Sequence, residues 1–495
     1  MIGVCFEPYT LTPFDHIFPP LVYGTCGISF QPQRLEEGVS VLQNGISQLI
    51  DVLPFLTGEV ALSNVSDKAN AMEVRPSAKT SGLDSVLYMK CYPEFRLSSP
   101  PANSTTAADQ GTEAGCREAF AKLTPEFKCS GLPAPVCRFQ LNVLADGIVL
   151  CVMTNHAAMD GSGLGALLNL LAVCCRNVSR SVEPFPTSMG AQAETRFFLE
   201  NLARRYPPSG TDLYEKYSTI SGAGYGDLAN NALVSHNFVF SSKRIAGVKS
   251  RCIDLLAKSH KESHPSQGVY VSSCDILSSL VWVCINQGRL PTMQPKLPDF
   301  HSTMGIAVDT RQRCDPRLPK SYLGNSVVMM EAKISASELQ FSNDSDKRPG
   351  DDLTISNEEI RLLTQFALRI RSQISRVDNH YAGRILSRVF HSTDWSSSRV
   401  TPTDVMISSL RHWDSFELDF GQTLARITTL DILPAPIPGA CLIKPKRFNA
   451  EGKETWDMTI TLPEKEIDAL RHNRWIKCIL ENEYPLQPCQ RVSRV

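Results

Sequence analysis

The residues best suited to chemistry are Asn155-His156-Ala157-Ala158-Met159-Asp160-Gly161. A histidine has an unperturbed pKa of about 6.5, so a neutral imidazole is available at physiological pH to take a proton. A hydroxyl is too weakly acidic to ionise in advance. Its proton must leave as the oxygen attacks a carbonyl, with the base already in hydrogen-bond reach. When the alcohol is itself the nucleophile, no serine or cysteine of the protein need be acylated, and the acyl group passes through one tetrahedral intermediate. The chain holds ten histidines. In this composition, a histidine followed four residues on by Asp-Gly arises by chance roughly 0.03 times. A histidine that merely closes a strand is the structural alternative.

Such a group needs anchored neighbours. Residues 136–143 and 148–155 read as strands, and Asp146-Gly147 between them is a hairpin signal, so His156 stands where an interior strand ends. After Gly161-Ser162-Gly163, Leu164, Leu167, Leu168 and Leu171 trace one helical face. The order strand, tight turn, helix exposes a side chain while both flanks stay fixed. Upstream, Leu35, Val39, Leu42, Ile46, Leu49 and Leu53 mark a helix that Pro54 stops. Downstream, Phe238-Val239-Phe240-Ser241 reads as a strand. A helix with Ile245, Val248, Cys252 and Leu255 inward follows, then another from an N-cap at Ser273 through Ile276, Leu277, Leu280 and Cys284. Ser356 and Glu359 form a capping-box pattern ahead of Ile360, Leu363, Ala367, Ile370 and Ile374, and Trp456, Met458, Ile460 and Leu462 alternate as a half-buried strand does.

A chain of 495 residues exceeds the size at which one core stops growing, which predicts two domains. The stretch 179–226, with Pro184, Pro186, Pro207 and Pro208 and little periodicity, reads as the crossover, leaving 1–178 and 227–495 on either side. Residues 98–115 and 342–356 read as polar surface loops. Fifty basic residues against 51 acidic give a net charge of -1, so nucleic acid and anionic membranes are not expected partners. Sixteen cysteines lie scattered in apolar runs without metal-type spacing, and no Gly-rich phosphate loop is present. A reduced compartment with no metal or redox cofactor is therefore expected. With no leader, membrane-length run or C-terminal address to read, the expectation is a cytoplasmic monomer.

Further stretches make the pattern specific. They are Leu53-Pro54-Phe55-Leu56-Thr57-Gly58, Val271-Ser272-Ser273-Cys274-Asp275 with Trp282, Val308-Asp309-Thr310-Arg311-Gln312-Arg313, Tyr322-Leu323-Gly324-Asn325 and Asp419-Phe420-Gly421. With them the chain resembles the BAHD-type acyl-CoA-dependent acyltransferases, in the fungal branch of trichothecene acetyltransferases and other secondary-metabolite O-acetyltransferases. The resemblance implies an α/β fold of two chloramphenicol-acetyltransferase-like domains, mixed sheets with helices, enclosing a channel at their interface. His156 would stand in mid-channel as general base. Acyl-CoA, with acetyl favoured, would enter from one face and a hydrophobic small-molecule alcohol from the other, so the reactants meet with the entropy of encounter removed.

A carboxylate four residues beyond the histidine suggests a triad, but past the turn at Gly161 it need not face back to the ring. The resemblance implies instead that Asp160 pairs with an arginine, Arg311 first and Arg313 second, as a clamp across the domain boundary. It gives Asp419 and Gly421 a structural loop remote from the chemistry. Ser408, in Ile407-Ser408-Ser409-Leu410, matches a hydroxyl that faces the tetrahedral oxygen, or is an ordinary serine at a strand end. Ser241 and Lys249 match positions that approach CoA; the alternative for Lys249 is a solvated lysine.

Two departures stand out. Asn155 replaces a second histidine, and Gln422-Thr423 replaces Trp-Gly after Asp419-Phe420-Gly421, which touches loop packing rather than activity. Two other readings share the motif. A stand-alone condensation-type enzyme takes its acyl group from a carrier protein, and a binding protein on the same fold has lost turnover. The Asp309-Thr310-Arg311 and Asp419-Phe420-Gly421 stretches weigh against the first, and the intact His156, Asp160 and Gly161 against the second.

Overall fold

The Asp146-Gly147 turn joins two antiparallel strands, paired from Cys137 opposite Thr154 to Val143 opposite Ile148. They belong to a computed structural model that describes residues 6–77, 82–97, 123–125, 131–177, 185–207, 233–260, 270–293, 301–340, 355–400, 402–449, 451–481 and 490–491. The loop predicted at 98–115 lies outside these residues, as does nearly all of that at 342–356. In the first part of the chain the strands are β1 (Tyr9–Thr10), β2 (Tyr23–Phe30), β3 (Glu59–Leu62), β4 (Met72–Arg75), β5 (Leu87–Tyr92), β6 (Ala134–Pro135), β7 (Cys137–Leu144) and β8 (Ile148–Asn155). There follow β9 (Leu233–Ser241), β10 (His301–Asp309), β11 (Val327–Ser335), β12 (Val405–Ser409), β13 (Thr429–Ile432), β14 (Ala440–Ile443), β15 (Arg447–Phe448), β16 (Glu454–Pro463) and β17 (Gln490–Arg491). The helices that matter here are α1 (Leu35–Val52), α2 (Gly161–Asn177), α3 (Met189–Arg205), α4 (Ser242–His260), α5 (Ser273–Met293) and α6 (Asn357–Ser375).

The first large sheet has the order β13-β2-β8-β7-β5, and β1-β4-β3-β6 form a smaller one. Strand β8 is buried at all eight positions, as its unbroken apolar run requires of an interior strand. Against this sheet pack α1, through Leu42, Ile46 and Leu49, and α2, through Leu164, Leu167, Leu168 and Leu171. The helices approach closely because α1 carries Gly45, where a Cβ would stand 2.5 Å from Cys175 Sγ. One strand of this sheet, β13, comes from far along the chain and pairs with β2 from Thr429 opposite Ser29 to Ile432 opposite Cys26.

The second sheet runs β11-β10-β12-β14-β16-β9-β17, with β15 hairpinned onto β16. Its apolar face, including Phe238, Phe240, Met304, Ile306, Ile407, Met458 and Ile460, packs under α4, α5 and α6 in a second core. The alternate positions of β9 and β16 are polar: Ser235, Asn237, Thr459 and Thr461, with Ser235 Oγ 2.7 Å from Thr461 Oγ1. Strands β10, β12 and β14 are parallel neighbours, and β9 runs the same way beyond the antiparallel β16. The carboxyl ends Asp309, Ser409, Ile443 and Ser241 therefore share one edge. Four strand spacings separate the first from the last, roughly 19 Å.

Two sequence expectations need correction. Residues 189–205 of the supposed featureless crossover form α3, whose buried side is Gln192, Thr195, Leu199, Leu202 and Ala203. The stripe has helical spacing, but two of its five members are polar, so apolar periodicity does not reveal it. The cap of α5 is Ser272 rather than Ser273, because Ser272 Oγ accepts from the Asp275 N–H and Asp275 Oδ2 accepts from the Ser272 N–H. Twelve cysteines among the described residues are free thiols, and no helix there is long and apolar enough to cross a membrane.

Candidate active site

His156 follows the last residue of β8, and the chain holds it from three sides. Its N–H donates to Val22 O at 2.8 Å, its carbonyl accepts from Asn325 Nδ2 at 2.8 Å, and its ring lies 4.1 Å from the Phe18 ring, centroid to centroid. Asn155 closes the turn beneath it. Its Oδ1 accepts from the Ala157 N–H, and its Nδ2 donates to Pro20 O and Tyr23 Oη. An asparagine thus serves here as scaffold, with both ends of its amide occupied.

Nδ1 of His156 is buried and makes no hydrogen bond. Asn325 Nδ2 is committed to the carbonyl, which leaves Asn325 Oδ1, buried and unpaired, as the amide atom free to accept. With Nδ1 buried, Nε2 is the ring nitrogen left to meet a substrate, and to act as a base there it must carry the lone pair while Nδ1 holds the proton. Burial lowers the pKa of the ring; its own carbonyl, the Asp160 charge and Asn325 oppose the shift without cancelling it. The imidazole is therefore neutral at pH 7, with a basic nitrogen free.

Asn325 is fixed in turn by Asp15, whose Oδ1 accepts from the Asn325 N–H at 3.0 Å and from its Nδ2 at 2.8 Å, while Oδ2 accepts from the N–H and Oγ1 of Thr12. Burial pushes the Asp15 carboxyl up to about 6 against the pull of these donors. Neither Asp15 nor Phe18 stands out in the sequence. The usable signal was a lone acid at position 15 between Phe14 and Ile17, which must find partners if it is buried.

Asp160 turns away from the ring. Its carboxylate receives Arg311 in a fork, Nη1 to Oδ2 at 2.9 Å and Nη2 to Oδ1 at 2.8 Å, and accepts from the Ser326 and Gly163 N–H groups at 2.8 Å each. The Gly163 bond makes Asp160 the N-cap of α2. Burial opposes the charge on Arg311, but Asp160 and Asp309 against it hold its pKa above the ordinary value. Arg313 points elsewhere, donating to Ile374 O and Val377 O. Asp309 also accepts from Ser162 Oγ at 2.5 Å, and that hydroxyl lies 3.0 Å from His412 Nε2. None of Asp309, Ser162 and His412 was singled out as a site residue from sequence.

Gly161 opens α2, where a Cβ would meet only the end of the Leu410 side chain at 2.8 Å. Gly163 is less forgiving, since a Cβ there would stand 2.1 Å from Leu323 O. We expect Gly163→Ala to cost about 1–3 kcal/mol in urea unfolding, with Gly161→Ala well below it; equal effects would contradict this packing.

The remaining candidates divide. Ser408 is half-buried near the carboxyl end of β12, opposite Leu442, and Ser241 is buried at the carboxyl end of β9, so both lie on the sheet edge that holds Asp309. Lys249 is half-buried on α4, eight residues and about 12 Å of helix axis beyond Ser241. The Asp419-Phe420-Gly421 turn sits elsewhere. Gly421 has φ +91°, Asp419 O accepts from Arg176, and Phe420 is buried against Phe30 at the far end of α2 from His156. Sixteen residue steps of helix place that end roughly 24 Å away. No group of three His, Cys, Asp or Glu among the described residues is arranged to hold a metal ion.

Comparison with known proteins identifies the family and the fold. The Transferase family matches residues 115–475, and the trichothecene 3-O-acetyltransferase-like N-terminal domain matches residues 25–175. The O-acetyltransferase cpsE of Aspergillus campestris is 38% identical, covering 97% of this chain and 98% of its own length. The communesin N16 acyltransferase cnsK of Penicillium expansum is 30% identical over 97% and 99%. Among solved structures, F. sporotrichioides TRI101 complexed with coenzyme A and T-2 superposes with a TM-score of 0.69 at 20% identity, over 95% of this chain and 99% of that one. Vinorine synthase gives 0.58 at 14%, over 96% and 94%. These structures share the two-domain α/β fold. On the family match and the extent of the relatives, the chain belongs to the Transferase family, the BAHD-type acyl-CoA-dependent acyltransferases carrying the HxxxDG motif.

Proposed function

We propose that the protein transfers an acyl group, acetyl in the first instance, from CoA to a hydroxyl of a hydrophobic secondary metabolite, with His156 as general base. The observation that carries this is an imidazole at the end of β8 whose Nδ1 is buried and whose pKa burial lowers, fixed by contacts to Val22, Asn325 and Phe18. The alcohol oxygen attacks the thioester carbonyl as Nε2 takes its proton. The tetrahedral intermediate collapses, the C–S bond breaks, and the proton passes from Nε2 to the sulfur. Asp160 is assigned a structural part, because both its oxygens are spent on Arg311 and two backbone N–H groups.

Ser408 is assigned the hydroxyl that meets the developing oxyanion, and Ser241 and Lys249 the CoA contacts. In their support, Ser408 and Ser241 lie on one edge of the second sheet with Asp309, which ties that edge through Arg311 and Ser162 to the start of α2. A CoA running along this edge would reach from Ser241 toward the histidine. The relatives named O-acetyltransferase cpsE and fumigaclavine B O-acetyltransferase easN favour acetyl and an oxygen acceptor.

The direct test offers the purified protein free acetyl-CoA and, separately, a carrier-bound acetyl thioester, with a panel of hydrophobic alcohols. Ester formation from free acetyl-CoA supports the reading, and ester formed from the carrier thioester alone overturns it. Because burial lowers the pKa of His156, its base form persists below pH 6.5 and is lost only on further acidification. Turnover plotted against pH should thus rise on an acidic limb with its inflection below about 6.5 and then level off. An inflection above that value would remove His156 from the role.

A further inference from the structure

The second sheet buries one face in its own core. The other face looks toward the first domain, because Asp309 stands on it and accepts from Ser162 Oγ of α2. Paired residues share a face, so the strand registers define a row across this side. Ser408 pairs with Leu442, Leu442 with Thr459, and Thr459 with Asn237. The row crosses three strand spacings, roughly 14 Å. It runs from the hydroxyl assigned to the oxyanion, on β12, to a side-chain amide on β9.

The face opens along this row. Ser408, Leu442 and Asn237 are half-buried, as are Met406 and Ala440 one row earlier. The neighbours of Asn237 on the same face of β9, Ser235 and Val239, are buried, and so are Thr461 and Asp457 on β16. An acetyl group covers only the Ser408 end of such a row, and CoA is assigned the sheet edge beyond it. The rest of the floor falls to the acceptor.

Most of that floor is alkyl, from Leu442, Met406 and Ala440, and suits a hydrophobic molecule. Asn237 breaks the pattern. Asparagine is depleted in strands, yet this one sits in β9, which is flanked by β16 and β17. Thr459 Oγ1 donates to Asn237 Oδ1 at 3.3 Å, so the amide oxygen is engaged. Asn237 Nδ2 makes no hydrogen bond among the described residues. A single donor set into an apolar floor is the arrangement that orients a ligand and selects among similar ones.

We propose that the acceptor lies along this row with its reacting hydroxyl at the Ser408 end, and that Asn237 Nδ2 donates to a second oxygen, carbonyl or ether, toward its other end. The substrate class is then an elongated hydrophobic alcohol whose two oxygens stand on the order of 10 Å apart. This rests on the reading of the protein as an acetyl-CoA-dependent O-acyltransferase. Asn237 is a specificity residue in it, touching the acceptor but none of the reacting atoms.

The test uses two isomeric keto-alcohols of equal polarity, 11-hydroxyundecan-2-one and 11-hydroxyundecan-6-one, with hexan-1-ol as a short alcohol that reports the chemistry alone. Full-length protein is given acetyl-CoA with each, and kcat/KM for ester formation is measured. The 2-one places its carbonyl within reach of Asn237, whereas the 6-one places it over Leu442, which offers no donor. The 2-one should be preferred on the order of fivefold, the effect of one hydrogen bond. Asn237→Leu removes the donors, and Asn237→Asp keeps an acceptor for Thr459 but has no N–H; both should erase the preference. Should one variant not fold, the other carries the comparison. Equal values for the two isomers, no ester from either, or a preference that survives substitution overturns the proposal, and ester from hexan-1-ol then leaves the acyl-transfer reading standing. Absence of ester from all of the alcohols overturns that reading and this inference together.

Discussion

Replacing His156 with alanine is expected to slow acyl transfer by about 10²- to 10⁴-fold, the range for loss of a positioned general base. The affinity for CoA should hardly change. The side chain removed is the one whose lone pair takes the alcohol proton, and the contacts that hold the turn in place are made by the backbone of residue 156 and the side chain of Asn155. The turn therefore survives the substitution. Loss of the Phe18 stack leaves a small gap at a half-buried position, so the effect on stability should be modest beside the effect on rate. Calorimetric titration with CoA and a turnover assay on the same preparation check both halves. Turnover within a few-fold of the unmodified enzyme would end the proposed mechanism.

Asp160→Ala should act the other way round, on stability first. It removes the partner of Arg311 and the cap of α2 together, leaving a guanidinium that is almost wholly buried. Breaking a buried ion pair from one side typically costs about 3–5 kcal/mol, read here as a drop in the urea unfolding midpoint. Arg311 keeps Asp309 and the Tyr322 and Gly324 carbonyls, which places the expected loss toward the lower end of that range. A double variant, Asp160→Ala with Arg311→Met, should lose less than the two single losses added, since neither charge is then stranded. A well-folded and equally stable Asp160→Ala protein without activity would contradict the structural assignment.

Much of the fold is legible in the sequence because its signals are local. The apolar spacing of α1 and α2, the Asp-Gly turn before β8 and the Ser356–Glu359 box each depend on a few neighbouring residues, and the structure shows them close to where they are read. The motif around His156 is legible for the same reason. What stays hidden is whatever distant segments supply. Phe18, Asp15 and Asn325 reach the histidine turn only after the chain has folded, across sequence separations that no periodicity measures. The helix α3 is missed because Gln192 and Thr195 stand where apolar residues would announce it. Gln192 is buried to serve the loop opposite, accepting from the Leu323 N–H and donating to Ser321 O.

The pairing of β13 with β2 ties one segment of the chain to another made 400 residues later. Until Thr429–Ile432 has emerged from the ribosome, the outer side of β2 offers unmatched peptide groups from Cys26 to Ser29, and the first core lacks Phe420, Leu424, Ile427 and Leu430. The opening part of the protein must therefore wait, incomplete and exposed along that margin, while most of the remaining polypeptide is made. A gene cut between the two halves would strand the first of them in that waiting state.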